Sequence, residues 1–107
     1  MSVVTYHNSN LSPYSLNYTL AGSDITVVMA TSTVYQVKNT YGDIWTWYGT
    51  GFSYSGGQLV DGSFSGVNVY DDYYGNTVTI SGFNVSLSAM NSVSSYNRYN
   101  LMAADSD

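Results

Sequence analysis

The chain offers few side chains that could do chemistry, and their spacing argues against a catalytic centre. It contains one His, no Cys and seven acidic residues, all of them Asp. Paired-carboxylate catalysis needs two groups that converge across a cleft, whereas adjacent residues such as Asp71 and Asp72 point to opposite faces of a strand. A serine hydrolase is not indicated either, because the sequence lacks a Gly-x-Ser-x-Gly motif. The sequence therefore predicts that the protein is not an enzyme.

An Asp-rich turn is the candidate metal site. Calcium takes about six to eight oxygen ligands, and Asp71, Asp72 and Asn76 would supply several of them from one loop. The spacing of an EF-hand is missing there, so calcium is a secondary expectation beside the expectation of no cofactor. If the protein instead carries haem or another metal, the candidate ligands are His7 and a Tyr.

Aromatic side chains are the other candidates for binding, since they make up 16% of the chain. Trp45 and Trp47 lie on one face of a predicted strand, and Tyr48 lies on the other. If they are exposed, these residues form a platform for sugar rings or a partner; if they are buried, they belong to the core. A further group crowds one predicted hairpin, namely Tyr70, Tyr73 and Tyr74. This second group is expected to stack between copies of the chain.

Composition limits the fold to strands and turns. The chain has 107 residues, with 10 Gly and 12 Tyr, and charged residues make up only 8%. The Glu, Lys and Arg that usually cover helices are nearly missing, whereas Thr, Tyr, Val and Ile favour strands. This length fits one domain. We expect a single all-β domain over residues 1–107, a Gly-rich curved or solenoid-like sheet, with a small antiparallel β-sandwich as the alternative.

The strands that would position the candidate residues are predicted from the alternation of apolar and polar side chains. The apolar segment Asp24–Ala30 predicts a central strand, and Tyr14–Leu20 alternates as a strand with one apolar face. A hairpin is predicted between Val67–Tyr70 and Thr77–Ile80, with Gly75 in its turn. Other strands are expected at Val3–Tyr6, Val34–Lys38, Ile44–Tyr48 and Phe83–Leu87.

The end of the chain has a different character. The β pattern stops at Ser88, which is a suitable N-cap for a helix through Val93. Leu101–Ala104 forms a second apolar cluster that would extend this helix. Residues 88–107 are therefore expected to form one short C-terminal helix and an acidic tail of the same domain.

Charge and hydropathy exclude two kinds of partner. The formal net charge is −5, and the only basic residues are Lys38 and Arg98. Two cations are too few to neutralise a phosphate backbone. No apolar run approaches the roughly 20 residues that a bilayer-spanning helix needs. Neither nucleic-acid binding nor a membrane span is therefore expected.

The Gly- and Ser-rich stretch of residues 49–67, GTGFSYSGGQLVDGSFSGV, resembles a recurring pattern in bacterial secreted proteins. It is similar to the small β-module that precedes RTX-type calcium-binding repeats in type I secreted proteins, and the likeness extends over residues 49–107. The calcium-binding Gly-Gly-x-Gly-x-Asp nonapeptide itself is absent, so the resemblance assigns no calcium ligand here. It implies secretion without a cleaved N-terminal signal and an extracellular location.

Low charge, predicted strands and abundant Tyr together favour a structural role. We expect a non-enzymatic, secreted bacterial module that assembles with copies of itself through strand edges and aromatic contacts. Such a module would be the subunit of a filament, a surface layer or an adhesive matrix. Two alternatives stay open: a carbohydrate- or ligand-binding module that uses the aromatic platform, and a haem or metal carrier.

Overall fold

The computed structural model describes residues 3–7, 18–72, 75–94 and 97–104. These residues form one six-stranded sheet and two short helices. The strands are β1 (Val3–His7), β2 (Thr26–Ala30), β3 (Val34–Lys38), β4 (Ile44–Ser55), β5 (Gln58–Asp71) and β6 (Asn76–Ser86). The helices are α1 (Leu87–Asn91) and α2 (Arg98–Ala104). The prediction of an all-β fold is therefore confirmed at the level of class.

The sheet is antiparallel throughout, in the order β1-β6-β5-β4-β3-β2. Strands β2 to β6 follow one another as a meander, and β1 joins the far side beside β6. Within the described residues, this single sheet supports neither a solenoid-like arrangement nor the two sheets of a sandwich.

The predicted hairpin is confirmed in the pairing of β5 with β6. Val67 pairs with Ile80, and Tyr70 pairs with Thr77. Gly75 has a φ of 69°, a conformation that favours glycine. Its amide donates to the carbonyl of Asp71 at 2.8 Å and so closes the turn.

The core lies on one face of the sheet, because the buried side chains of four strands share the same register rows. One row joins Tyr35, Trp47, Val67 and Ile80, and the next joins Val37, Trp45, Val69 and Val78. The helices and the segment 18–20 supply buried residues to the same cluster, among them Leu87, Met90 and Met102. These two rows explain why the apolar residues alternate along the strands.

The strand predicted at Tyr14–Leu20 is wrong in its described part. Residues 18–20 are buried but belong to no strand. Their three carbonyls, in chain order, accept hydrogen bonds from Arg98 Nη1 at 2.6 Å, Trp47 Nε1 at 3.0 Å and Tyr35 Oη at 2.7 Å. A buried backbone must find partners for its polar groups, and here three long side chains replace a neighbouring strand.

Close packing explains two of the many glycines. A Cβ on Gly49 would overlap the carbonyl oxygen of Ser63, and a Cβ on Gly62 would overlap the ring of Phe52. That ring packs against Phe64 with 5.3 Å between centroids. These glycines let a buried aromatic pair lie directly on the backbone.

The C-terminal region contains two short helices rather than one. The N-cap of α1 is Ser86, whose hydroxyl accepts from the amide of Ala89 at 3.2 Å, so the predicted cap at Ser88 lies two residues too late. The apolar cluster at Leu101 belongs to the separate helix α2. In the part of the chain described, neither helix is long and apolar enough to cross a membrane.

Candidate functional site

Among the described residues, the outer strand β2 presents an unusual apolar surface. The sequence predicted that this apolar segment is central, but the structure places it at the edge of the sheet. All five of its residues are exposed, including Val27, Val28 (51% exposed) and Met29. No residue of β2 is charged. An exposed edge strand with unpaired N–H and C=O groups is a template for pairing with another chain.

A β-bulge at Val28 interrupts β2. Val27 pairs with Val37 and Met29 pairs with Gln36, so Val28 is one extra residue opposite a continuous β3. Bulges disrupt the ladder locally and increase twist. They also limit edge-to-edge pairing in native sheets. The edge strand β2 therefore has an apolar surface that favours pairing with another chain and a bulge that limits such pairing.

The turn after β2 is held firmly by the β4 strand. Tyr54 Oη donates to the carbonyl of residue 31 at 2.7 Å. The Phe52 amide donates to the carbonyl of residue 32 at 3.1 Å, and the Gly49 amide donates to that of residue 33 at 3.0 Å. Burial raises the pKa of Tyr54 above its ordinary value, so this donating hydroxyl loses its proton only at a more alkaline pH than a free Tyr. These contacts hold one end of β2 in place against the sheet.

The opposite edge of the sheet is β1. It pairs with β6 without a register shift, from Val3 opposite Ser81 to His7 opposite Thr77. Within the described residues no strand pairs with its other side. In the described part of the chain, the sheet therefore ends in two strands of five residues each, whose outer sides pair with no other strand.

We call the face opposite to the core the neutral polar face after its central row, which consists of Gln36, Thr46, Asn68 and Thr79; Lys38 lies on the same face, one row away. Gln36 Nε2 donates to Thr46 Oγ1 at 2.8 Å, and Asn68 Nδ2 donates to Thr79 Oγ1 at 2.9 Å. These hydrogen bonds cross between neighbouring strands. Hydroxyl and amide pairs therefore make up the central row of this face, in agreement with the charge-poor composition.

The aromatic platform is not formed as one exposed surface. Trp45 and Trp47 share a face as predicted, but this face is the core, and Trp47 is 0% exposed. The Trp47 ring packs against Phe64 with 4.8 Å between centroids. Only Tyr48 is exposed, on the neutral polar face. Trp47 is covered by the segment 18–20, since its Nε1 donates to the Thr19 carbonyl, and Trp45 belongs to the same buried cluster.

The structure locates one residue of the Tyr group predicted to self-associate. Tyr70 lies in β5 beside Ile44 and Thr77 and is partly buried. Tyr73 and Tyr74 lie outside the described residues, so their stacking between copies stays a prediction.

The candidate metal residues lie near the same turn, and their described side chains belong to no recognisable metal centre. The amide of Asp72 donates to Asp43 Oδ1 at 3.0 Å. Asp71 pairs through its backbone with Asn76, whose side chain is outside the description. No group of three potential metal-binding residues occurs among the described residues. The side chain of His7 is likewise not described, so its role as a ligand stays a prediction.

The sequence analysis did not identify Arg98 as a functional or structural residue, but the structure shows that it is buried. Arg98 lines a cavity of about 380 Å³ together with Asp24 and Trp45. Besides its bond to the segment 18–20, its Nε donates to the Met90 carbonyl at 2.9 Å. Desolvation by burial lowers the pKa of this guanidinium. Because these partners are backbone carbonyls, Arg98 connects α1, α2 and the segment 18–20. Arg98 is one of only two residues of the Lys and Arg type in the chain, and no motif or periodicity in the sequence around it predicted this role.

Comparison of the chain with protein-family models, with curated proteins and with solved structures finds no match. The geometry of the described residues therefore carries the functional argument.

Proposed function

We propose that the protein is a non-enzymatic structural module that assembles with copies of itself through its strand edges. The observation that carries this proposal is the exposed, uncharged and apolar edge strand β2. Soluble proteins usually protect such an edge with charges, prolines or a covering segment. Here the described residues supply only a short strand and a bulge.

Magnitudes indicate that one such edge gives a weak contact. Burying the exposed halves of Val27, Val28 and Met29 contributes about 2–4 kcal/mol in total. A short ladder of hydrogen bonds adds about 0.5–1.5 kcal/mol for each bond. Association costs about 4–15 kcal/mol in lost freedom of motion. These contributions together favour assembly only at high protein concentration or when further contacts form. We propose that the aromatic cluster at Tyr70, Tyr73 and Tyr74 supplies such contacts.

The proposed setting is extracellular, as a subunit of a filament, a surface layer or an adhesive matrix of a bacterium. Its support is compositional: solubility rests on neutral hydroxyls and amides, and cysteine is absent. The resemblance of residues 49–107 to modules of type I secreted proteins favours the same setting. Detection of the native protein in the culture medium or on the cell surface, rather than inside the cell, tests this part of the proposal.

The test of self-assembly is light scattering after size exclusion, with electron microscopy of the same fractions. We expect the wild type to form particles larger than one chain and Val28→Lys to remain an 11.7 kDa monomer. A charge on an edge strand opposes further pairing. Tyr41→Lys is the matched control, because Tyr41 is a large side chain that is 79% exposed but lies in the turn between β3 and β4, outside every strand. A monomeric wild type, or equal effects of both variants, contradicts the proposal.

A second candidate function is glycan binding on the neutral polar face. The observation that favours it is the exposed ring of Tyr48 on the same face as the hydrogen-bonded pair Gln36 and Thr46. Aromatic rings and amides are suitable partners for neutral sugars. Calorimetry with soluble oligosaccharides tests this function: binding by the wild type that Tyr48→Ala removes supports it, whereas no heat of binding excludes it for those sugars.

A further inference from the structure

We infer that β2 of one copy pairs with β1 of the next copy, in head-to-tail order, so that the six-stranded sheet continues from chain to chain. This inference rests on the proposed self-assembly and names its geometry. The partner is a second copy of the same chain. The two surfaces are the outer edges of the sheet, at Thr26–Ala30 and Val3–His7.

Strand directions allow this pairing when the second copy is displaced along the sheet and turned only by the twist of the sheet itself. Five antiparallel pairs separate β1 from β2, so the two edge strands run in opposite directions. A copy shifted sideways by the width of the sheet therefore presents β1 antiparallel to β2. The shift also keeps the helix-covered face of every copy on the same side. An odd number of strands would instead bring the two edges together in parallel.

The bulge favours this joint over a symmetric one. In a symmetric β2–β2 joint, two strands that each carry an extra Val28 would face each other, and the ladder would be interrupted on both sides. The β1 strand pairs with β6 in an unbroken register. A β2–β1 joint therefore sets one irregular strand against one regular strand. The two strands also match in length, with five residues each.

The geometry fixes a repeat distance. Strands lie about 4.8 Å apart in the hydrogen-bonding direction. Six strands per copy therefore give a repeat of about 29 Å along the assembly, beside the 4.8 Å spacing. An assembly of alternating β2–β2 and β1–β1 joints repeats only every second copy, at about 58 Å. Fibre diffraction or averaged electron micrographs of the wild type distinguish the two distances.

Complementary blocked variants give the decisive test. Val28→Lys blocks β2 and leaves β1 native, whereas Thr5→Lys blocks β1 and leaves β2 native. Thr5 is exposed, so neither change is expected to unfold the chain, and circular dichroism checks both. Each variant alone is expected to be monomeric. An equimolar mixture is expected to form a one-to-one dimer, joined by the native β2 of one variant and the native β1 of the other.

The outcomes separate this inference from the proposed function. An assembling wild type with a mixed dimer and a repeat of about 29 Å supports the head-to-tail joint. Dimers of Thr5→Lys alone, dimers of Val28→Lys alone, or no mixed dimer would overturn the head-to-tail joint while self-assembly stands. A wild type that stays monomeric overturns the proposed function and this inference with it. If either Lys variant is unfolded, the 29 Å or 58 Å repeat of the wild type decides the question.

Discussion

Replacing Arg98 by Met is expected to destabilise the protein strongly, although Arg98 forms no part of the proposed assembly surface. The guanidinium donates to the carbonyls of Tyr18 at 2.6 Å and Met90 at 2.9 Å, and more weakly to Asn91 Oδ1 at 3.4 Å. Met keeps an unbranched apolar side chain and so preserves much of the packing. The substitution removes the donors and leaves the acceptors in place.

The expected magnitude is set by the two carbonyls that lose their donor. Leaving a buried acceptor unsatisfied costs about 1–3 kcal/mol, so two such groups cost about 2–6 kcal/mol. Burying the charged guanidinium is unfavourable, as the lowered pKa of Arg98 in the folded chain indicates. The substitution by Met removes this cost and so offsets part of the loss. We expect a net loss of about 2–4 kcal/mol, a large share of the 5–15 kcal/mol that stabilises an ordinary domain.

Urea titration followed by tryptophan fluorescence is the assay, because both indoles are buried and become exposed on unfolding. With a slope of about 1–3 kcal/mol per molar urea, the midpoint should fall by about 0.7–4 M. Lys38→Met is the control, since it removes the other basic residue from an exposed position and should change stability by less than about 0.5 kcal/mol. If Arg98→Met matches that control, the three segments do not depend on the guanidinium and the reasoning is refuted.

Three further predictions concern packing, pH and the bulge. Gly49→Ala should lower the free energy of unfolding by about 3 kcal/mol or more, because the new Cβ would overlap the backbone of Ser63. Gly51→Ala is the control: Gly51 has a φ of 68° and no neighbour within 4 Å of the new Cβ, so the same urea titration should show a loss of only about 1–2 kcal/mol. Burial raises the pKa of Tyr35, so the unfolded chain loses this proton at a lower pH than the folded chain does. The contribution of Tyr35 to stability should therefore be full below about pH 10 and fall above it. Thermal melts across this range should show a shallower fall in stability for Tyr35→Phe than for the wild type. Deletion of Val28 restores a continuous pairing of β2 with β3 and should shorten the lag of assembly several-fold in light scattering; a longer lag would contradict a restraining bulge.

The central hairpin could be predicted from the sequence because its information is local. Alternating residues on both sides of a glycine turn fix which side chains share a face, and the pairing of Val67 with Ile80 follows. The shared face of Trp45 and Trp47 was predictable by the same rule. Local alternation could not tell which face is buried, because burial depends on what covers the sheet.

The segment 18–20 shows where such reasoning fails. Its alternation predicts a strand, but its carbonyls are bound by side chains 15, 28 and 80 positions away, those of Tyr35, Trp47 and Arg98. Those donors satisfy the three carbonyls in the way that the amides of a neighbouring strand would. A periodicity reports which residues face the core, and it does not report how the backbone between them is hydrogen-bonded.

The wrong position predicted for β2 carries the functional argument. A continuous apolar run is typical of a strand buried on both faces, yet β2 lies at an edge with Val27, Val28 and Met29 exposed. Local sequence and position in the fold therefore disagree at this strand. Such disagreements are expected where function demands them. A strand with the composition of a sheet centre reaches that environment if a second copy adds its own strand, because β2 then lies inside a longer continuous sheet.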